Sequence, residues 1–404
     1  MTYIQIIFLT ALCAVLSALI ISFAINLAHN YSIVDHPGEH KTHEESTPFV
    51  GGIGIFLSLC MAFVLLFNFY PELNSHWLIL VFCSLLIFAT GFVDDLLNLK
   101  YKPRLVIQIV VASIAVIFCG LALDDLGDLF FGFPLQLGLL AVPFTVFAIV
   151  GGINVINMID GIDGLSGSVS FVSLLLLGFV AFIGGDFQNL ILIVALAGGV
   201  IGFLFFNLRY PSQQRARVFL GDNGSMLLGF LIALLLISLA QGANSAMQPV
   251  TALWLFAIPL MDTAGVVQRR ILMGKSPFSP DQNHLHHILL KVGYRVEEAV
   301  LFIVAMQLLL GVIGLAGLYM GVPDFVMLLG FLLIYLGYYS LTMRPLLFIP
   351  VLCFINIKLG IASTASSRAL FGVNVNKDAA NLAQKVCDEL KPSKGFWEVI
   401  RSRS

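Results

Sequence analysis

Eleven apolar stretches follow one another along the chain, each of about 20 residues and so long enough to cross a bilayer core of about 30 Å as a helix. They cover residues 3–28, 49–69, 77–93, 104–122, 138–157, 168–184, 189–207, 224–241, 249–267, 298–319 and 324–342. Only 11% of residues are charged, against about 25% in a soluble domain. With a mean hydropathy of +0.98, so much apolar surface cannot be hidden in one soluble core. The expected fold is all-α: a polytopic integral membrane protein with about eleven transmembrane helices. The first stretch lacks a basic start and is too long for a signal-peptide core, so it reads as a retained span. A further stretch, 345–361, contains Pro345 and Pro350 and reads as an interfacial segment or a twelfth span. The membrane domain is therefore placed at 1–361 and a polar cytoplasmic tail at 362–404. The cysteines lie mostly in apolar runs without metal-ligand spacing and read as single buried thiols.

Lysine and arginine set the orientation. They occur in the odd-numbered loops, as Lys41, then Lys100, Lys102 and Arg104, then Arg209, Arg215 and Arg217, then Arg269, Arg270, Lys275, Lys291 and Arg295. The rest lie from Arg344 onward. The even-numbered loops carry only acids: Glu72, Asp124, Asp125, Asp128, Asp186 and Asp324. By the positive-inside rule the odd loops and the C-terminus are cytoplasmic and the N-terminus is periplasmic.

Those same cytoplasmic loops carry the chain's polar clusters. Span three runs into Asp94-Asp95. Span five runs into Asn154-x-x-Asn157-x-x-Asp160-Gly-Ile-Asp163-Gly-Leu165. The loop after span seven ends in Phe219-Leu-Gly-Asp222-Asn-Gly-Ser225, and the loop after span nine holds Ser279-Pro-Asp281-x-x-His284-Leu-His286-His287. Ionisable groups beside a bilayer are costly and are usually kept for function. Asn154, Asn157 and Asp160 are spaced to face one side of a helix end, with Asp163 continuing the row. Carboxylate and amide oxygens are the hard ligands that Mg²⁺ takes, and arginines from the same loops suit phosphate. An Asp-Asp pair alone carries little weight, because Asp124-Asp125 repeats it on the other side with no base nearby. The histidines lack the cysteine partners and helix spacing of a zinc site. Gly51-Gly52-Ile-Gly54 lacks a following Gly-Lys-Ser/Thr and reads as close helix packing.

From about Pro48 to Arg295, in order and in register with the loops, these motifs resemble the polyprenyl-phosphate N-acetylhexosamine-1-phosphate transferases. Within that superfamily the His-Leu-His-His run after Phe278-Ser-Pro-Asp looks like the WecA-like branch, which acts on UDP-GlcNAc and undecaprenyl phosphate. The tail after about residue 362 lies outside the family pattern. The resemblance implies that Asn157 and Asp222 hold Mg²⁺, with Mn²⁺ as a substitute. It implies catalytic positions at Asp94, Asp95, Asp160, Asp163, His284, His286 and His287. It implies substrate-binding positions at Arg104, Asn207, Phe219, Arg269 and Arg270. The partners implied are a UDP-sugar, a polyprenyl phosphate and the bilayer, with no nucleic acid and with a homodimer as the family's assembly. The implied location is the bacterial inner membrane, with the site on the cytoplasmic face. The reaction would join GlcNAc-1-phosphate to the lipid and release UMP, initiating a lipid-linked cell-envelope polysaccharide. Another UDP-N-acetylhexosamine, or the muramoyl-pentapeptide, remains an alternative donor. A transporter is the alternative of a different class, and it is disfavoured by the clustering of carboxylates at one face.

Overall fold

The computed structural model describes residues 2–31, 33–35, 47–71, 74–130, 132–242, 245–278, 284–343, 348 and 352. Among them the helices are α1 (Tyr3–Asn30), α2 (Gly51–Phe69), α3 (Asn74–Leu97), α4 (Tyr101–Cys119), α5 (Ala141–Ile159), α6 (Leu165–Ile183) and α7 (Phe187–Asn207). They continue with α8 (Gly221–Ala240), α9 (Pro249–Leu255), α10 (Ala257–Leu272), α11 (Leu285–Lys291), α12 (Val296–Tyr319) and α13 (Asp324–Thr342). A two-residue antiparallel ladder pairs Val34 with Pro48 and Asp35 with Thr47. Among the described residues, ten helices are long and apolar enough to cross a membrane, or eleven if α9 and α10 form one broken span. The all-α polytopic expectation therefore holds. Most of residues 345–361, and all of the tail from 362, lie outside the described residues.

The chain divides into two compact units, one of Met1–Pro259 with Val304–Leu329, the other of Leu260–Ile303 with Gly330–Ser404. In the first unit α7 and α8 form the core. The first packs against α1, α2 and α6, the second against α3, α5 and α2. Both helices are apolar on all sides, as buried helices must be. Close approach depends on glycine. A Cβ on Gly52 would lie 2.5 Å from the Gly224 backbone nitrogen, so α2 and α8 can touch backbone to backbone only without a side chain there. This is the packing role read for the Gly51–Gly54 stretch.

The ninth span is not the single helix expected over 249–267. It breaks at Phe256, between α9 and α10. A helix break in an apolar setting leaves backbone groups that need partners. Gln307, fully buried on α12, supplies them. Its amide nitrogen donates to the Leu255 carbonyl at 2.7 Å, and its amide oxygen accepts the Ile258 N–H at 2.9 Å.

The second unit holds most of α10, all of α11, the start of α12 up to Ile303 and α13 from Gly330 onward. Tyr294 closes onto it by donating its hydroxyl to the Leu352 carbonyl at 2.9 Å.

Candidate active site

Two helix ends and one helix start meet in the first unit. α3 ends with Asp94 and Asp95, α5 ends just after Asn157, and α8 begins at Gly221. Asp94 is 3% exposed. One of its oxygens accepts the Leu99 N–H at 2.7 Å, and the other pairs with the Arg104 guanidinium. The same guanidinium nitrogen lies 3.4 Å from Asp222 Oδ2, so Arg104 bridges two carboxylates that are far apart in sequence. Asn157 donates its amide to Asp222 Oδ1 at 2.5 Å and to Ser225 Oγ at 3.0 Å.

Asp95 turns to the start of α8. It accepts the backbone N–H groups of Asp222 at 2.8 Å and Asn223 at 3.1 Å, and the Asn223 amide at 2.5 Å. Unpaired N–H groups and the positive end of the dipole make a helix start a natural seat for a carboxylate. Gly221 is needed there. Its φ is +76°, and a Cβ would come within 2.8 Å of Asp95 Oδ2.

The turn after α5 carries the next two acids. Asp160 accepts the Ser166 hydroxyl at 2.5 Å. Burial, with added repulsion from Asp95 and Asp163, pushes its carboxyl up to about 7. Asp163 is tied to the following loop, accepting from Arg209 Nε at 2.7 Å and the Ala216 N–H at 3.1 Å. Asn207 joins the same two segments. Its amide oxygen takes the Gly164 N–H at 2.7 Å, and its nitrogen donates to the Val218 carbonyl at 2.8 Å. The Phe219 backbone pairs with Pro48 at 2.8 Å and Gly51 at 3.0 Å.

The histidine cluster belongs to the second unit. His284 and His286 are buried and stack at 5.6 Å between ring centroids, with His287 4.1 Å from His286. Burial and the neighbouring His287 push His286 down to about 3, so it stays neutral at physiological pH. Asp262 reaches this cluster from α10 and takes His284 Nδ1 at 2.8 Å. Arg269 and Arg270, on the same helix, are both buried. The first contacts Met343 Sδ at 3.3 Å, and the second donates to the Pro277 carbonyl at 2.5 Å.

Of the residues singled out from sequence, Asp94, Asp95, Arg104, Asn157 and Asp222 come together directly. Asp160 stands beside them, close enough to feel Asp95. Asp163 and Asn207 brace the turn and the loop around them. The expected row does not continue as one helical face. α5 ends at Ile159, which leaves Asp160 and Asp163 in the turn. Asn154 pairs instead with Gln108 Oε1 at 2.8 Å. Sequence reading overlooked Gln108, Ser166, Tyr338 and the pairing of Asp262 with His284. A lone amide or carboxylate inside an apolar run was the available signal for Gln108 and Asp262.

The donor set suits a hard divalent cation. Asp94, Asp95 and Asp222 are crowded together, with Arg104 paired to two of them. Turning the Asn157 amide would present its oxygen beside Asp222. Among the described residues no three His, Cys, Asp or Glu side chains form a ready-made metal cage. A Mg²⁺ site commonly uses only one or two carboxylates and completes its shell with substrate phosphates.

The glycosyl transferase family 4 model matches residues 77–240. The chain is 35% identical over 323 residues to an undecaprenyl-phosphate alpha-N-acetylglucosaminyl 1-phosphate transferase of Escherichia coli O157:H7, covering 80% of this chain and 87% of the relative. A protein of that name from Salmonella typhi is 36% identical over 336 residues, covering 82% and 90%. One from Haemophilus influenzae is 34% identical over 338 residues, covering 83% and 93%.

Proposed function

Because the chain belongs to the undecaprenyl-phosphate alpha-N-acetylglucosaminyl 1-phosphate transferases of glycosyl transferase family 4, we propose that it transfers GlcNAc-1-phosphate from UDP-GlcNAc to undecaprenyl phosphate. An oxygen of the lipid phosphate attacks the β-phosphorus. The bond from that phosphorus to the bridging oxygen breaks, and UMP leaves. The structural observation that carries this reading is the Arg104 bridge between Asp94 and Asp222, with Asn157 on the far side of Asp222.

Both substrates are anions, so the main barrier is bringing like charges together. Asn157 and Asp222 would hold Mg²⁺, or Mn²⁺ in its place, whose charge offsets that repulsion when it is bound. Arg104 can exchange its carboxylate partners for pyrophosphate oxygens, since guanidinium serves both geometries. Asp95 keeps the start of α8, and with it Asp222, in register. Asp94 lies beside that position and would orient the lipid phosphate. A phosphate monoester loses its second proton near ~6, so the nucleophile is largely ionised at neutral pH without a strong base.

The clustering of lysine and arginine in the odd loops supports a site facing the cytoplasm of a bacterial inner membrane. A soluble nucleotide sugar would then reach a lipid phosphate held at the interface. The test is transfer from UDP-GlcNAc labelled with ³²P at the β-position. Label in the lipid and unlabelled UMP support sugar-phosphate transfer. Label left on the nucleotide would mean that only sugar moved, and would overturn the reading.

A further inference from the structure

Gln108 lies on the buried stripe of α4 and is 1% exposed. Its orientation is set by a backbone group on another helix. The Val150 carbonyl can only accept, so the Asn154 atom 2.8 Å from it is the amide nitrogen. The same nitrogen lies 2.8 Å from the end of Gln108, which must therefore present its oxygen. Nε2 of Gln108 is left on the other arm of the amide, facing away from Asn154 with two N–H donors. Neither donor has a hydrogen-bond partner among the described residues. An amide pair between spans can serve as interhelical glue, but that role uses only Oε1. A buried donor without an acceptor is costly and is seldom kept without use.

Side chains on a helix lean toward its N-terminus, so Gln108 leans toward the turn of Arg104, four residues earlier. There the Arg104 guanidinium pairs with Asp94 and Asp222. What the Nε2 donors fit is therefore an acceptor beside the acidic site, and a phosphate oxygen is such an acceptor. Gln108 also lies about 6 Å further from the start of α4 than Arg104 does, toward the interior of the span. A nucleotide arrives from water, whereas a lipid phosphate arrives from the bilayer, so this placement favours the lipid. We propose that Gln108 is a substrate-binding residue for the lipid acceptor, with Nε2 donating to a phosphate oxygen, and that Asn154 is the positioning residue that turns this donor toward it. The inference rests on the transferase reading above and gives that site a contact on its bilayer side.

Gln108→Met keeps the length of the side chain and removes the donor. Asn154→Asp leaves Gln108 intact but replaces the nitrogen that holds Oε1 by an oxygen, so Gln108 turns its NH₂ toward the new carboxylate. The readouts are steady-state kinetics of the full chain in detergent and equilibrium binding of farnesyl phosphate, farnesol and UMP. In Gln108→Met, KM for undecaprenyl phosphate and Kd for farnesyl phosphate should rise on the order of tenfold or more, the size of a lost hydrogen bond to a charged group. KM for UDP-GlcNAc and Kd for UMP and farnesol should stay at their wild-type values. Asn154→Asp should shift the same two constants in the same direction, and it carries the comparison independently of how well Gln108→Met folds. Unchanged farnesyl phosphate binding in both variants, as when water serves Nε2, would overturn the proposal. So would an equal loss for farnesyl phosphate and farnesol, which marks damaged packing, or a loss confined to UMP. A wild type that forms no lipid product would overturn the transferase reading itself, and the lipid assignment with it.

Discussion

Asp95, on the last turn of α3, holds Asn223, on the first turn of α8, by accepting both its amide at 2.5 Å and its backbone N–H at 3.1 Å. The Asp222 N–H adds a third bond at 2.8 Å. One carboxylate thus fixes where α8 begins, and Asp222 is the acid in that first turn. The neighbouring Asp94 instead faces Arg104. Two adjacent acids therefore do different work, and substitution should separate them.

Asp95→Ala should lower stability by about 2–3 kcal/mol, because three N–H groups lose a charged acceptor, and it should remove most transfer. Asp94→Asn should also remove most transfer but shift Tm much less, because the amide oxygen can still take the Leu99 N–H. Asp124→Asn, in the acidic pair that lacks a basic neighbour, should leave both unchanged. Thermal unfolding alongside product formation checks this. Equal tolerance at all three positions would erase the distinction between the two pairs.

Asp222→Ala should insert and fold but should not transfer at any Mg²⁺ concentration. Asn157→Ala should need far more Mg²⁺ for half-maximal rate. The check is rate against free Mg²⁺ for the purified variants. Wild-type Mg²⁺ dependence in Asp222→Ala would remove the metal assignment.

Asp160 makes stability depend on pH. Its folded-state value, about 7, lies above the ordinary 3.8, so the folded chain holds this proton more tightly than the unfolded chain. The stabilisation is complete below the unfolded value and is lost as pH rises through the folded one. In metal-free buffer Tm should therefore fall between about pH 4 and 7, and Asp160→Asn should flatten that part of the curve. Ser166→Ala should move the transition upward, because it removes the hydroxyl that favours the carboxylate. A wild-type curve that matches Asp160→Asn would contradict the assignment.

Gln307→Leu should cost about 2–4 kcal/mol, because it strands the Leu255 carbonyl and the Ile258 N–H inside the bundle. Urea or thermal unfolding in a fixed detergent measures it. Unchanged stability would mean that water or another side chain serves the helix break.

The spans were legible because apolar length is a local property of the sequence. The break at Phe256 was not, since what stabilises it is Gln307, about 50 positions away in the chain and on another helix. The acidic site was legible by motif down to Asp94, Asp95, Asn157 and Asp222. Division of labour within it was not. Nothing in the order Asp-Asp says that the first will meet Arg104 and the second the start of α8. Asn207 illustrates the same limit. Read as a substrate-binding residue, it has both ends of its amide engaged by backbone in the structure. Asp262 was visible as an acid within an apolar run, but its partner His284 emerged only once the fold brought them within 2.8 Å.

The most direct measurement is UMP release by the purified full-length protein supplied with UDP-GlcNAc, undecaprenyl phosphate and Mg²⁺, with Asp94→Asn and Asp222→Ala in parallel. The expected result is one UMP released for each undecaprenyl-pyrophosphate-GlcNAc formed, none without the lipid phosphate, and little from either variant. UMP release independent of the lipid, or undiminished in both variants, would contradict a transfer reaction centred on these two carboxylates.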